Sequence, residues 1–317
     1  MGHPASDCPI LPKRIILVRH GESQGNLDDT AYTTTPDNQI PLTPHGIEQA
    51  RLAGERIRRF VSDDGRFHKW KVYFYVSPYE RTRSTLREIG RSFPRKRILG
   101  VREECRIREQ DFGNFQVGER MKAIKSARER FGRFFFRFPE GESAADVFDR
   151  LSSFLESLWR DIEMKRLVQH QRCDDEINLI IVSHGLALRV FLMKWFKWTV
   201  EQFEHLSNLY NCESRVIQLG AGGEYSLAIH HSEEELRGWG LSTEMIADQK
   251  WRANAQKGDW KNKRPWYLDT FFDHLPSHTS SSESDDDSNV SCDQDGEKEN
   301  NVSPSPPSPP PSVEDDD

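Results

Sequence analysis

The stretch Ile15-Ile16-Leu17-Val18-Arg19-His20-Gly21-Glu22-Ser23 decides how this chain folds. Four consecutive branched apolar residues read as a strand buried on both faces. The apolar run then stops and presents Arg19, His20 and Gly21 in a row. In an open parallel sheet, the carboxyl end of such a strand is where ligands bind. A histidine beside an arginine, at an exit loosened by glycine, suits a nucleophile facing an anion. A capped strand end with an incidental histidine is the competing reading, and the other strand exits decide between them.

Two of them end alike. Val72 to Val76 is a second strand, followed by Ser77-Pro78-Tyr79-Glu80-Arg81-Thr82. Ser77 suits an N-cap, Pro78 the first helical position and Glu80 a capping box, so a helix is expected from Pro78. Arg81 then lies in its first turn, where the helix dipole favours anions. Leu179 to Val182 is a third strand and exits into Ser183-His184-Gly185, with a further helix predicted from Gly185 to Trp195. Three strand-to-helix corners thus bring Arg19, His20, Arg81 and His184 to one edge of one sheet.

Arg19-His20-Gly21-Glu22, the run Ser77-Pro78 through Arg81-Thr82 to Thr85, and Ser183-His184-Gly185 together resemble the histidine phosphatase superfamily, also called phosphoglycerate mutase-like. Three motifs in order, each at a strand exit, form a specific signal. The likeness runs from about Lys13 to Leu275. Asp37 and the ending Trp266 to His274 look like the plant and fungal phosphoglycerate mutase-like subgroup. The resemblance implies an α/β three-layer sandwich, with a mostly parallel central sheet and helices on both faces. It also implies that His20 is the nucleophile, and that Gly21, Ser23, Asn26 and Gly185 contact phosphate. Within Ile107 to Gly113, Glu109 matches the position of the family's proton-donating carboxylate, with Asp111 as second candidate.

The 317 residues are 35% hydrophobic and 30% charged, and no apolar run approaches the roughly 18 residues of a membrane span. No signal peptide is read at the start, so a cytoplasmic location is expected, with a nuclear one left open. Met1 to Ser6 fits the myristoylation pattern, with Cys8 as a second acyl position, but one acyl chain anchors only marginally. Stable membrane insertion is not expected. The five cysteines are odd in number and lack a C-x-x-C spacing, which argues for a reducing compartment and against both a disulfide framework and a zinc site. The net charge of −7 hides an asymmetry: residues 277–317 carry 12 acidic side chains and one lysine, whereas residues 1–276 carry 43 basic against 39 acidic. A slightly positive body fits an anionic substrate.

Residues 1–12 read as a flexible arm, 13–275 as one domain and 276–317 as a disordered acidic Ser/Pro-rich tail. The tail's serines, with Ser303, Ser305 and Ser308 before prolines, suit phosphorylation, and the tail suits a protein partner. Thr43 caps a helix whose apolar positions are Ile47, Ala50, Ala53, Ile57 and Phe60, with His45 on the surface. Ser143 with Asp146 starts another helix, and Gly220 to Gly223 makes the turn of a hairpin between strands 215–219 and 225–229. The aromatic segment 248–275 reads as a tail wrapped on the core. The basic run Arg91 to Arg108 lacks interleaved aromatics, so nucleic acid is not expected as a partner.

A phosphate monoester is nearly doubly charged, so its cleavage depends on charge neutralisation. Arg19 and Arg81 offer bidentate donors, and His184 offers one further hydrogen bond. Neutral His20 would attack phosphorus, while protonated Glu109 would serve the departing alkoxide and then activate water. No cofactor or metal is required, and activity is expected to lean towards mildly acidic pH.

Between residues 109 and 143 we find no insertion matching that of the mutases. Arg133, Arg137 and Arg189 instead look like sugar-bisphosphate contacts of the fructose-2,6-bisphosphatase branch, although Gln116 and Ala144 stand near where that branch has tyrosines. The chain is therefore expected to be a phosphatase of a small phosphorylated, carbohydrate-related metabolite. The alternatives are a phosphoglycerate mutase-type isomerase and a weakly active phospho-ligand-binding protein.

Overall fold

A computed structural model describes residues 11–62, 70–168 and 176–259. In chain order these form β1 (Arg14–Arg19), α1 (Gln24–Leu27), α2 (Pro44–Ser62), β2 (Trp70–Val76), α3 (Glu80–Arg91), β3 (Ile98–Glu103), α4 (Gly118–Phe131) and α5 (Ala144–Glu163). There follow β4 (Glu176–Ser183), α6 (Gly185–Phe196), α7 (Val200–His205), β5 (Ser214–Leu219), β6 (Tyr225–Ser226), α8 (Glu233–Gly238) and α9 (Thr243–Asn254). The acidic tail, the domain boundary before it, residues 1–10 and the aromatic run 260–275 lie outside the described residues. Leu11 and Pro12, placed by sequence in the flexible arm, are tied down. Leu11 packs on the core and Tyr225 donates a 2.6 Å hydrogen bond to the Pro12 carbonyl.

The six strands form one sheet in the order β3-β2-β4-β1-β5-β6. β1, β2, β3 and β4 run parallel, and β5 is antiparallel to both β1 and β6. Alternation along β1 explains the three layers. Ile15 and Leu17 join Tyr75, Leu179 and Ile181 in a cluster with Phe154 and Leu158 of α5 and Leu188 and Phe191 of α6. Ile16 and Val18 join Phe74, Val76, Ile180 and Val182 in a second cluster with Ala53 and Ile57 of α2 and Leu86 and Ile89 of α3. The expected sandwich, with helices on both faces of a mixed sheet, is what forms.

Register aligns the three decisive strands at one end. Val18 pairs with Val182, Arg19 with Ser183, and Val76 with Val182. One residue further on, His20 N–H donates to the Ser183 carbonyl at 3.0 Å and Ser77 N–H to the Val182 carbonyl at 3.1 Å. The next residues of the three strands are therefore neighbours by construction.

Three local expectations differ from what forms. The buried stripe of α2 is Gly46, Ala50, Ala53, Gly54, Ile57 and Val61, and Ile47 is 45% exposed. The stripe turns because glycine lets α2 approach closely: a Cβ on Gly54 would press on the Ile89 backbone of α3, and one on Gly46 on the Glu22 carbonyl. α3 begins at Glu80 rather than Pro78, for a reason that lies in the site described below. β6 stops at Ser226, where the Ser226 hydroxyl donates to the Gln249 carbonyl of α9 at 2.6 Å and draws the chain out of the sheet. The cap of α5 forms as expected, with Ser143 and Asp146 in a reciprocal capping box, and His45 is exposed.

Gly46→Ala should cost about 1–3 kcal/mol of stability by overpacking the β1–α2 corner. Gly90→Ala in α3, where nothing lies within 4 Å of the new methyl, should instead gain about 0.5–1 kcal/mol. Urea denaturation midpoints of the two variants check both signs.

Candidate active site

His20 and His184 follow β1 and β4, and their ring centroids lie 5.3 Å apart at an interplanar angle of 62°. His20 is 4% exposed and His184 fully buried. His20 Nδ1 lies 2.7 Å from the Gly21 carbonyl oxygen. A carbonyl can only accept, so Nδ1 carries the proton and Nε2 keeps its lone pair. His184 Nε2 lies 2.7 Å from the Ser77 hydroxyl, while its buried Nδ1 has no hydrogen-bond partner among the described residues. This contact moves the start of α3. Ser77 gives its side chain to His184 rather than to a helix cap, so the helix begins two residues beyond Pro78 with Tyr79 as N-cap. Arg81 still falls in the first turn.

Arg81 is 3% exposed. Its Nη1 donates to the Asp37 carbonyl at 2.6 Å and to Asp37 Oδ1 at 2.8 Å, and its guanidinium lies 4.8 Å from the centre of the Tyr79 ring. Tyr79 in turn meets His184 edge-on at 4.9 Å. Arg19 Nη1 donates to the Leu209 carbonyl at 2.6 Å. The Nε atoms of Arg19 and Arg81 are buried and have no partner among the described residues. Two cationic groups and one imidazole nitrogen thus keep unused donors around the His20 ring.

Burial holds the His20 imidazole well below its usual 6.5, and the charges of Arg81 and Arg19 push it the same way. His184 is lowered by burial first, then by Arg81, with His20, Arg150 and Arg19 adding to it. Burial also lowers Arg19, against the opposing pull of Glu109. Both rings are therefore neutral at physiological pH.

Glu109 stands in the irregular segment before α4. Its carboxylate accepts the N–H groups of Gln110 at 3.1 Å, Ala187 at 3.2 Å and Leu186 at 3.4 Å, the last two in the first turn of α6. This docks it beside His184. Asp111, the second candidate, is exposed: its side chain accepts Gly113 N–H, its carbonyl accepts Glu142 N–H, and its own N–H donates to Glu142 Oε2 at 3.1 Å.

The remaining expected residues are placed less uniformly. Asn26 Oδ1 accepts from Ser23 N–H at 3.1 Å, from the Ser23 hydroxyl at 3.2 Å and from Asn211 Nδ2 at 3.1 Å. Asn211 Nδ2 also reaches the His20 carbonyl at 3.1 Å, which ties Asn26 to the site. Ser23 is fully buried in this cap. Gly21 gives its N–H to Thr85 Oγ1 at 3.0 Å, and a Cβ there would strike the Gly46 carbonyl, so it serves close packing. Gly185 opens α6 against Asn208.

Among the described residues no hydrogen bond or ion pair joins Arg137 to these groups. It is exposed and donates to Asp146 Oδ1 at 2.7 Å, on the cap of α5. Arg189 is 4% exposed, donates to the Leu206 carbonyl at 2.8 Å and lies over the Phe203 ring. Its guanidinium is lowered to about 10 by burial and by the charge of Arg133, with Glu109 opposing and Arg128 adding to the lowering.

Sequence reasoning missed Ser77 and Tyr79 as site residues, although both lie inside the second motif. It quoted Asp37 without a role, and it missed Tyr32, whose phenol is raised by burial amid the charges of Arg81, Asp37, Glu109 and Arg19. Among the described residues no group of three or more His, Cys, Asp or Glu is placed to hold a metal ion.

A family model of the histidine phosphatase superfamily (branch 1) matches residues 15–231, which contain every one of these groups. The chain belongs to this superfamily. It is 68% identical over 278 residues to phosphoglycerate mutase-like protein AT74 of Arabidopsis thaliana, covering 88% of this chain and 87% of the relative. It is 32% identical over 291 residues to the broad-range acid phosphatase DET1 of Saccharomyces cerevisiae, covering 66% and 86%. Among solved structures, Bacillus stearothermophilus YhfR shares the fold with a TM-score of 0.50 at 18% identity, covering 68% of this chain and 95% of that one. The superfamily and its acid phosphatase member support a phosphatase.

The lowered imidazoles fix the sign of a pH effect. As pH falls through 6.5, the unfolded chain binds protons that the folded one refuses, so stability is full above 6.5 and declines below it. The decline should reach about 1.4 kcal/mol per pH unit for each imidazole. His20→Asn should remove one imidazole's share of the slope in denaturation curves recorded between about pH 5 and 7.

Proposed function

We propose that the protein is a phosphomonoesterase that works through a phosphohistidine intermediate on a small phosphorylated, carbohydrate-related metabolite. The observation that supports this reading most is the His20 ring. Among the described residues its Nδ1 is anchored and its Nε2 left free, beside three buried donor nitrogens without partners: Arg19 Nε, Arg81 Nε and His184 Nδ1.

In the proposed reaction the phosphoryl group sits among Arg19, Arg81 and His184, with Asn26 and the α6 end at Gly185 beside it. Those donors neutralise charge that grows on the equatorial oxygens. Nε2 of His20 attacks phosphorus in line, and the bond to the ester oxygen breaks. Glu109, protonated, gives that oxygen its proton, and the free alcohol leaves. The resulting carboxylate then takes a proton from water as the hydroxyl attacks phosphorus. The P–N bond breaks, inorganic phosphate departs, and His20 and Glu109 return to their starting states. Ser77 holds the His184 ring so that Nδ1 can donate, and Asp37 fixes one edge of Arg81.

The arginines near Glu109 support the substrate class. Arg189 is crowded by Arg133 and Arg128, and Glu109 is the carboxylate that opposes them. An additional anionic group on the leaving portion would relieve that repulsion, as a phosphorylated sugar or sugar acid would supply. The mutase reading draws on the same feature and on the name of the AT74 relative. No described helix is long and apolar enough to cross a membrane, and the free thiols of Cys105 and Cys212 suit a cytoplasmic setting.

Brief incubation with a labelled phosphate ester followed by an alkaline quench should trap label on the protein, and His20→Ala should abolish it. An unchanged label in that variant would sink the mechanism. Glu109→Gln should slow turnover by roughly 10²–10⁴-fold. Because both imidazoles stay neutral below their usual range, the rate should hold or rise as pH falls below 6.5 rather than drop with histidine protonation. A panel including 3-phosphoglycerate, with and without 2,3-bisphosphoglycerate, distinguishes phosphate release from isomerisation.

A further inference from the structure

Glu109 belongs to no helix or strand, yet the proposed chemistry asks its carboxylate to meet a leaving oxygen with near-atomic accuracy. Arg150, on α5, supplies the missing rigidity. A guanidinium has five N–H donors, and Arg150 divides them between the backbone of this segment and the carboxylate of Glu142. Nη1 donates to the carbonyls of Arg106 at 2.6 Å and Arg108 at 2.9 Å. Nη2 donates to the Glu109 carbonyl at 2.9 Å and to Glu142 Oε2 at 3.0 Å, and Nε donates to Glu142 Oε1 at 3.0 Å. Glu142 closes the ring. Its carboxylate also takes Asp111 N–H at 3.1 Å and a bond from Arg108 Nη2, and its carbonyl accepts Gln110 Nε2 at 2.8 Å.

The bonds to the carbonyls of residues 108 and 109 immobilise the peptide planes on both sides of the Glu109 Cα. That fixes the direction in which its side chain leaves the backbone. With every N–H engaged, Arg150 has no donor left for a phosphate, so it does not compete with Arg19 and Arg81 as a ligand. Its side chain is 10% exposed and pairs with Glu142, a carboxylate it shares with Arg108.

We propose that Arg150, held by Glu142, is a positioning residue for proton transfer by Glu109. The inference rests on the reading of Glu109 as proton donor. Lysine could not replace it, because three donors on a rotating ammonium cannot span three carbonyls and a carboxylate.

The test compares phosphoenzyme formation from an alkyl phosphate, whose leaving oxygen needs a proton, with that from dinitrophenyl phosphate, whose leaving group departs without one. Arg150→Lys should slow the alkyl substrate by roughly 10²-fold, the lower range for losing a general acid, and the aryl substrate by at least about tenfold less. Glu142→Gln should show the same selectivity at smaller amplitude, and it decides the matter if Arg150→Lys does not fold. On a Glu109→Gln background, Arg150→Lys should add less than about threefold to the alkyl loss, because both substitutions remove one effect. Equal slowing of both substrates by Arg150→Lys and Glu142→Gln, with Glu109→Gln itself selective, overturns the positioning role alone. If Glu109→Gln also slows both equally, the proton-donor reading fails and the inference falls with it.

Discussion

Buried Arg81 and half-buried Arg19 can stand beside two buried histidines only while the rings stay neutral. At an effective dielectric near 20, a unit charge about 5 Å from another of the same sign costs about 3 kcal/mol, and desolvation adds to it. The fold meets this constraint by giving each imidazole a hydrogen bond that needs no charge: His20 to the Gly21 carbonyl, His184 to the Ser77 hydroxyl. Arg81 has its own counter-ion in Asp37, 15% exposed at the edge of the site. Arg19 leans on a carbonyl, and the opposing charge that acts on it most is Glu109. The pocket is therefore left with positive charge and directed donors, and a dianion is what would complete it.

This arrangement depends on strand register more than on any single contact. β1 and β4 end level because Arg19 faces Ser183, and β2 joins them through Val76 and Val182. A slip of one residue in any of these strands would send its terminal side chain to the opposite face of the sheet. The small residues around the corner keep the level edge. Gly21 and Gly46 let the loop after β1 touch the start of α2, and Thr85 of α3 takes the Gly21 N–H that would otherwise be stranded.

The strands and their exits could be read from the sequence because a strand buried on both faces is an uninterrupted apolar run, and its end is abrupt. His20, Arg19, Arg81 and His184 sit one or a few residues past such ends, so local patterning is enough to gather them. Residues joined to the site only through space were not legible that way. Asp37 reaches Arg81 across 44 positions and Ser77 reaches His184 across 107. Ser77 misled because its local chemistry, a serine before a proline, also describes a helix cap. The α2 stripe misled because glycine carries no hydropathy signal, yet Gly46 and Gly54 decide which side of that helix can approach the loop after β1 and α3. The partner of Arg137 was not legible either, because an arginine's sequence position says nothing about which carboxylate meets it, and here Asp146 does.

That last point separates the arginines by what satisfies them. Arg137 is exposed and paired, so it has little left to offer a ligand. Arg150 is buried and fully bonded, so its contribution passes through the backbone it holds. Arg19 and Arg81 are held at one edge by a carbonyl or by Asp37, with Nε unpartnered among the described residues. Arg189 is the intermediate case: among the described residues it is bonded to the Leu206 carbonyl with Nε unpartnered, and its guanidinium is lowered by burial first and by like charge next. A cation in that condition gains more from an arriving anion than one already neutralised. Under the proposed function, leaving-group specificity is to be sought at Arg189 and its neighbours, and the chemistry at Arg19 and Arg81.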